Sequence, residues 1–355
     1  MSSQWRYIIE KNLEGKQGLA TDEMLISSVA RSNLPILHLY SYKKSALIGR
    51  YQDMENALNL KMCKKLKVEY NRRITGGGTV LMDKNQLALG FAISLKNGII
   101  PKSIKGVFNT MAEVLNNALK KIGITACFQP KNDLEVNSKK IAGLSAILEQ
   151  KDILLFHTSL LLDFNFSLML KILNLPPLKI KDKGISCFTD RMTTIKKEIG
   201  KSIELDEIIK LVIESFEKKF NIKLYKDSFS DYEKKERDRL IKEKYTNPKW
   251  LYCIKTPFLN FGKAIKKTNA GLIQVDITLN KKIIENIFIT GDIIPQNPEI
   301  INKIEFILKW SSADKDKVKE KLKEVMKSET IYALDSNSLT NIIMQAVKNY
   351  ENKYK

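Results

Sequence analysis

The sequence predicts an α/β (α+β) protein built in two units, and three observations lead there. Short apolar runs bounded by Lys, Asn and Gly turns recur from Pro35 to Leu162 at the length of strands. Between and after them, longer segments carry apolar residues at helical spacing. After Pro248 a strand-then-helix pattern restarts, long enough to form a small α+β domain of its own. The 355 residues exceed what one hydrophobic core usually spans. The expected division is a larger domain over residues 1–245 and an accessory domain over 246–355.

In chain order, the first element expected is a helix on Leu19, Met24, Leu25, Ile26 and Val29. Thr21 offers an N-cap, and Asp22 and Glu23 fall in the first turn, where the helix dipole favours acids. Pro35 to Ile48 reads as strand, turn, strand around Lys43-Lys44. Val68–Arg73, Thr79–Met82 and Leu87–Ser94 continue the strand pattern, with a glycine triplet between the first two. Residues 103–122 form an amphipathic helix on Val107, Met111, Val114, Leu115 and Leu119. Two strands flank a turn at Asn137-Ser138, and Ile153–Leu162 is a further apolar strand. Leu205–Phe220 is a helix, and the charge-dense Asp231–Lys244 reads as a solvated helical connector. Strands are expected near 251–254, 271–279 and 283–290, then helices over 298–309, 314–327 and 336–352.

Composition narrows the function classes. No apolar run approaches the roughly 18 residues of a membrane span, and the first ten residues lack the apolar core of a signal peptide. A cytoplasmic protein without a membrane partner is expected. Lys+Arg number 60 against 40 Asp+Glu, a formal charge of +20. Such a field suits nucleic acid, phosphorylated substrates or an acidic protein. The lysines are spread along the chain with almost no interleaved aromatics, so no nucleic-acid partner is expected. Cys63, Cys127, Cys187 and Cys253 form no CxxC pair, and His38 and His157 are the only histidines. That spacing excludes a structural zinc site and argues against a disulfide framework.

Two stretches carry chemistry. In Arg72-Arg-Ile-Thr-Gly-Gly-Gly-Thr-Val-Leu-Met-Asp83, three consecutive glycines expose main-chain N–H groups and allow close approach of another molecule. Arg73 beside them offers a planar fork for phosphate or carboxylate. No Gly-Lys-Ser/Thr follows, so the loop is not a P-loop; an anion-binding loop is favoured over a plain hairpin turn. In the second stretch, Asn132-Asp133 precedes Ser138-Lys-Lys-Ile-Ala-Gly-Leu-Ser145. Asp133 could hold Mg²⁺, and Lys140 would place a point charge beside a phosphoryl or acyl oxygen. His157 lies in an apolar strand with no Ser or Cys motif near it, which makes no case for a hydrolytic triad.

An ordered set of motifs resembles the lipoate-protein ligases of the lipoate/biotin ligase superfamily. It comprises Ala20-Thr-Asp-Glu, Ile48-Gly-Arg-Tyr-Gln52, Arg72-Arg-Ile-Thr-Gly-Gly-Gly, Asn132-Asp133, Lys139-Lys-Ile-Ala-Gly143 and Phe156-His157. Lys183-Gly-Ile-Ser, Phe261-Gly and Ile289-Thr-Gly-Asp292 extend the resemblance into a late catalytic region and an accessory domain. The resemblance implies a catalytic domain of mixed, mainly antiparallel sheets with flanking helices, plus a small α+β accessory domain. It implies activation of lipoate by ATP to lipoyl-AMP, then transfer of the lipoyl group to a lysine. The acceptors implied are lipoyl domains of 2-oxoacid dehydrogenase E2 subunits and the glycine-cleavage H protein, and a monomer is expected.

Carried over residue by residue, Arg73 would contact phosphate. Thr75, Gly76, Gly77, Gly78, Thr79, Val80 and Leu81 would follow the adenylate. Asn132 would face adenine, Asp133 would position Mg²⁺, and Lys140 would bridge the α-phosphate and the lipoyl carbonyl oxygen. Leu19, Ile48, Val80, Gly143 and His157 are candidates for the lipoyl slot. The nearest alternative is an ATP-independent octanoyl or lipoyl transferase with Cys127, in Ala126-Cys-Phe-Gln-Pro130, as thioester nucleophile. Asn132-Asp133 and the accessory domain fit the ATP-using branch better.

Overall fold

The computed structural model describes residues 5–129, 132–149, 152–174, 190–253 and 261–354. Pro130, Lys183-Gly-Ile-Ser, Cys187 and Ile254 lie outside them.

The strands are β1 (Trp5–Leu13), β2 (Ile36–Tyr42), β3 (Ser45–Ile48), β4 (Glu69–Arg72), β5 (Val80–Met82), β6 (Gln86–Ser94), β7 (Cys127–Gln129), β8 (Asp133–Val136), β9 (Lys139–Glu149), β10 (Ile153–Leu161), β11 (Leu224–Lys226), β12 (Gly262–Thr268), β13 (Gly271–Asn280) and β14 (Ile283–Gly291). The helices are α1 (Gly15–Ser32), α2 (Met54–Ala57), α3 (Leu60–Lys65), α4 (Ile104–Lys120), α5 (Phe166–Ile172), α6 (Ile195–Ile199), α7 (Leu205–Phe220), α8 (Asp231–Leu240), α9 (Pro248–Leu251), α10 (Ile300–Leu308), α11 (Lys315–Ser328) and α12 (Ser336–Tyr354).

Eight strands form one mixed sheet in the order β11-β1-β2-β6-β10-β9-β8-β7, antiparallel except where β1 runs parallel to β11 and β2. Strand alternation gives the sheet two apolar faces. Leu37, Leu89, Phe91, Phe156 and Leu144 pack beneath α4 and α7. Tyr40, Ala88, Ala92 and Leu155 pack beneath α1. A second sheet, β4-β3-β5, carries the glycine triplet, and a third, β12-β13-β14, packs against α10 and α12 in the accessory unit.

Several expectations are corrected. The first helix starts at Gly15, not Thr21: Glu14 and Gln17 form a capping box, and Thr21 sits mid-helix donating to the Gln17 carbonyl. Asp22 is therefore not a first-turn acid but a buried residue on the sheet-facing side. β1 was not expected, because Arg6, Glu10 and Lys11 interrupt its apolar pattern. The strand, turn, strand expected over 35–48 is present, and its two strands join different sheets, β2 the large one and β3 the small one. The charged segment is more than a solvated connector. On α8, buried Glu233 holds Arg6 and Ser28, while Leu240 and, in the π-helical turn Ile241–Tyr245 that follows, Tyr245 pack with α1. Of the residues near 251–254 where a strand is expected, Leu251 ends a helical turn, α9, with Pro248 in its first turn, and Tyr252 and Cys253 join no strand.

In the accessory unit, partly buried Glu305 on α10 accepts the Ile289 N–H at 2.7 Å, and burial pushes its carboxyl up to about 7. The unfolded chain binds that proton less tightly, at the ordinary glutamate value of 4.5. The ionisation penalty is thus absent below that value, grows as pH rises through the window, and is complete above 7. Glu305→Gln, which keeps the acceptor oxygen, should stabilise the fold by roughly 3 kcal/mol at pH 8 and leave it unchanged near pH 4. Thermal melting of both proteins at the two pH values checks this; equal gains at both would refute it.

Candidate active site

The small sheet explains the glycine triplet. β4 and β5 both pair with β3 rather than with each other, so residues 73–79 form a crossing loop above the large sheet and not a hairpin turn. The two arginines hold different segments around that loop. Arg72 is fully buried and donates to the carbonyls of Gly49, Arg50, Gln52, Trp250 and Leu251. Arg73 donates to those of Leu47, Gly76 and Gly78 at 3.1, 2.8 and 2.8 Å. Burial pulls its guanidinium down to about 10, partly offset by the negative charge of Asp292. The resemblance gives Arg73 to phosphate; here three of its five N–H donors go to the carbonyls of Leu47, Gly76 and Gly78, and the buried cation borders the cavity and places its positive field there.

The accessory unit meets the same loop. Gly77 donates to the Ile293 carbonyl at 3.1 Å. A Cβ on Gly76 would lie 1.7 Å from that oxygen, so only glycine permits the approach. Gln52 ties both sides together: its Oε1 accepts from Gly49 N and Thr79 Oγ1, and its Nε2 donates to Asp292 Oδ1 at 3.1 Å. The motif at 48–52 therefore supports the loop and the inter-unit contact.

On the other side, the tight turn at Asn137-Ser138 sets β8 beside β9 and brings Asp133 to Lys140, Oδ1 to Nζ 2.6 Å. The main chain of Lys140 is pinned between Arg191 and Thr193, and its ammonium folds back over Gly143. Asn132, at φ +73°, donates from Nδ2 to the Leu144 carbonyl at 2.6 Å.

Between loop and sheet lies a cavity of about 270 Å³. Its floor follows from strand register. Gly143 on β9 is opposite Ser159 on β10, Ser159 opposite Ala88 on β6, and Ala88 opposite Tyr40 on β2. These four line the cavity in one row perpendicular to the strands. The row crosses three strand spacings, about 14 Å. It begins under the Lys140 ammonium, continues as a trough of small side chains, and ends at the Tyr40 and Tyr42 rings, which meet edge-on at 5.1 Å. Leu19, Leu47, Val80 and Met82 add apolar wall, while Asn269, Gly271 and Asp292 of the accessory unit also border the space.

The structure thus brings Leu19, Arg73, Gly77, Gly78, Thr79, Val80, Asn132, Asp133, Lys140, Gly143 and His157 to one cavity. It does not bring Ile48 or Leu81 there. Both turn into a separate apolar cluster with Met54 and Leu168, and Leu47 faces the cavity in place of its neighbour. Thr75 and Gly76 sit behind the lining. Thr75 Oγ1 lies 2.6 Å from His157 Nε2, and His157 Nδ1 lies 3.1 Å from Asp22 Oδ2. Tyr40, Tyr42, Ala88 and Ser159 were missed, since their meeting depends on cross-strand register. Asp22 carried a signal in the Ala20-Thr-Asp-Glu motif that was spent on helix capping. Exposed Cys127 on the short edge strand β7 is absent from the cavity lining. Among the described residues no helix is long and apolar enough to cross a membrane.

Two family models match the chain: a lipoyl protein ligase A/B catalytic domain over residues 14–217 and a bacterial lipoate protein ligase C-terminus over 262–343. An octanoyltransferase, LipM, of Clostridioides difficile is 31% identical over 264 residues, covering 68% of this chain and 95% of that protein. Among solved structures, a bipartite lipoate protein ligase from Thermoplasma acidophilum is 25% identical with TM-score 0.64, covering 72% of this chain and 99% of that one. P. falciparum LipL1, solved with lipoate, has TM-score 0.72 at 20% identity over 96% of this chain and 99% of its own, which shows the shared fold.

Proposed function

The chain belongs to the lipoyl protein ligase A/B family of lipoate ligases and octanoyltransferases, and we propose that within it this enzyme is an ATP-dependent lipoate-protein ligase. The observation that carries this reading is the Lys140 ammonium, paired with Asp133, over the head of an acyl-sized trough. In the first half-reaction the lipoate carboxylate attacks the α-phosphorus of ATP and pyrophosphate leaves with the bonding pair. Two anions must approach, so a fixed cation at the reacting oxygens lowers the barrier. Lys140 is that cation, and buried Arg73 adds to the field. In the second half-reaction an acceptor lysine amine attacks the acyl carbonyl, the C–O bond to phosphate breaks, and AMP departs. Lys140 again stabilises charge on the carbonyl oxygen.

The trough takes the acyl chain, with its ring against Tyr40 and Tyr42. Asn132, Thr79 and the glycine-loop main chain border the adenylate. Among the described residues no group of three His, Cys, Asp or Glu is arranged so that it could hold a metal ion. A single carboxylate, Asp133, is nevertheless a usual protein share of a magnesium site that phosphates complete. Bound there, Mg²⁺ would neutralise nucleotide charge. The acceptors are acidic lipoyl domains or an H protein, which the +20 chain would steer electrostatically. The enzyme acts as a cytoplasmic monomer, with an accessory domain beginning after α9.

One observation favours a second reading, an ATP-independent transferase: the similarity to an octanoyltransferase, together with exposed Cys127. Cys127→Ser separates the two. We expect undiminished ATP-dependent lipoylation of an acceptor domain. Loss of transfer, with an acyl thioester found on Cys127 of the wild type without ATP, would select the transferase.

A further inference from the structure

Both histidines of the chain meet one buried carboxylate that the chemistry above does not use. His38 on β2, Gly90 on β6 and His157 on β10 are opposite one another across three adjacent strands. Asp22 descends from α1 onto the middle of that row, 2% exposed. A Cβ on Gly90 would lie 2.3 Å from Asp22 Oδ1, so the glycine is what admits the carboxylate between the rings. Asp22 Oδ2 accepts from Tyr40 OH at 2.8 Å and faces His157 Nδ1 at 3.1 Å, while His38 Nδ1 stands 3.7 Å from Oδ1. His38 Nε2 meets Glu10 at 3.0 Å, and Glu10 accepts from Arg237. Burial alone would raise the Asp22 carboxyl, but the hydrogen bond from His157 and the nearby His38 ring bring it below its ordinary value. An ionised Asp22 takes the His157 Nδ1–H, which leaves Nε2 to accept the Thr75 hydroxyl proton.

The connectivity Asp22–His157–Thr75 is that of a nucleophilic triad. Thr75, however, is fully buried and behind the cavity lining, so its hydroxyl is an anchor and not a nucleophile. What it anchors is the glycine loop, whose Gly76 carbonyl is also held by Ser145 Oγ at 3.1 Å.

We propose that Asp22 is a positioning residue: acting through His157 on Thr75, it holds the loop at residues 75–78 closed over the trough. The inference rests on the reading of the trough as the acyl site, and its consequence falls on substrate capture. In Asp22→Asn the carboxamide can donate to Nδ1, and the proton that orients His157 is lost.

The test combines two readouts. In the unliganded protein, hydrogen exchange at the amides of residues 75–78 should quicken at least about tenfold in Asp22→Asn and in Thr75→Val, with exchange in β6 and β10 unchanged. In the enzyme assay, KM for lipoate should rise about tenfold or more while kcat stays within about threefold. Thr75→Ser, which keeps the hydroxyl, should lose less than Thr75→Val. The double variant Asp22→Asn/Thr75→Val should be no worse than either single change, because both cut one chain of contacts. Additive losses, or exchange at 75–78 equal to wild type, would overturn the proposal. If Asp22→Asn does not fold, Thr75→Val and His157→Gln decide it by the same exchange measurement. A wild type that makes no acyl-adenylate would instead overturn the ligase reading and leave the exchange result to judge Asp22 alone.

Discussion

Lys140→Ala should lower acyl-adenylate formation by about two to three orders of magnitude, the cost of removing one preorganised charge donor from an acyl or phosphoryl transfer site. The strand pair positions this ammonium before substrate arrives: the β8–β9 turn aligns Asp133 with it, and Arg191 and Thr193 fix its main chain. Because the charge acts on oxygens that gain charge only as bonds change, the loss should fall on kcat more than on KM. The side chains of Lys140 and Asp133 are 30% and 24% exposed, so water can take over their solvation and the melting temperature should move little. Pyrophosphate release with lipoate and ATP measures the rate. A rate within about threefold of wild type would remove Lys140 from the chemistry.

Ala88→Leu should abolish use of lipoate while leaving the head of the trough intact. Ala88 stands between Ser159 and Tyr40 in the row of small side chains, and a leucine there would occupy the space of the distal half of the acyl chain. KM for lipoate should rise about a hundredfold or more, as a filled slot loses most of the apolar burial that binds the chain. A four-carbon acid, which ends before Ala88, should be bound as by wild type. Calorimetric titration with both acids reads this directly. Equal affinity for lipoate in the two proteins would place the acyl chain elsewhere.

Much of the architecture was legible along the chain, because hydrophobic period and turn chemistry are local. The β8–β9 turn, β10, α4, α7 and the β13–β14 pair with its following helices all lie close to their expected limits. What escaped depends on partners far away in sequence. β1 is a strand because β2 and β11 flank it, not because its residues alternate. α1 begins on a Glu14–Gln17 box that ordinary N-cap preferences pass over, so Thr21 and Asp22 took the role of cap signals. The candidate site divides in the same way. Glycine, lysine and carboxylate motifs announce themselves locally, and most of them do line the cavity. The contacts of Arg73, which donates to the carbonyls of Leu47, Gly76 and Gly78, were invisible without the loop. So was the choice of Leu47 over Ile48, which a single residue of register decides. Tyr40, Ala88 and Ser159 lie far apart in the chain and become one floor only through pairing.

The central claim is that this cavity makes and holds an acyl-adenylate. Mass spectrometry of the purified protein incubated with lipoate, ATP and Mg²⁺ tests it most directly. The account predicts lipoyl-AMP in the wild type, its formation slowed by about two to three orders of magnitude in Lys140→Ala, and its consumption as an acceptor-domain lysine gains the lipoyl mass. Acyl transfer that proceeds without ATP and passes through an adduct on Cys127, with no lipoyl-AMP at any time, would contradict it.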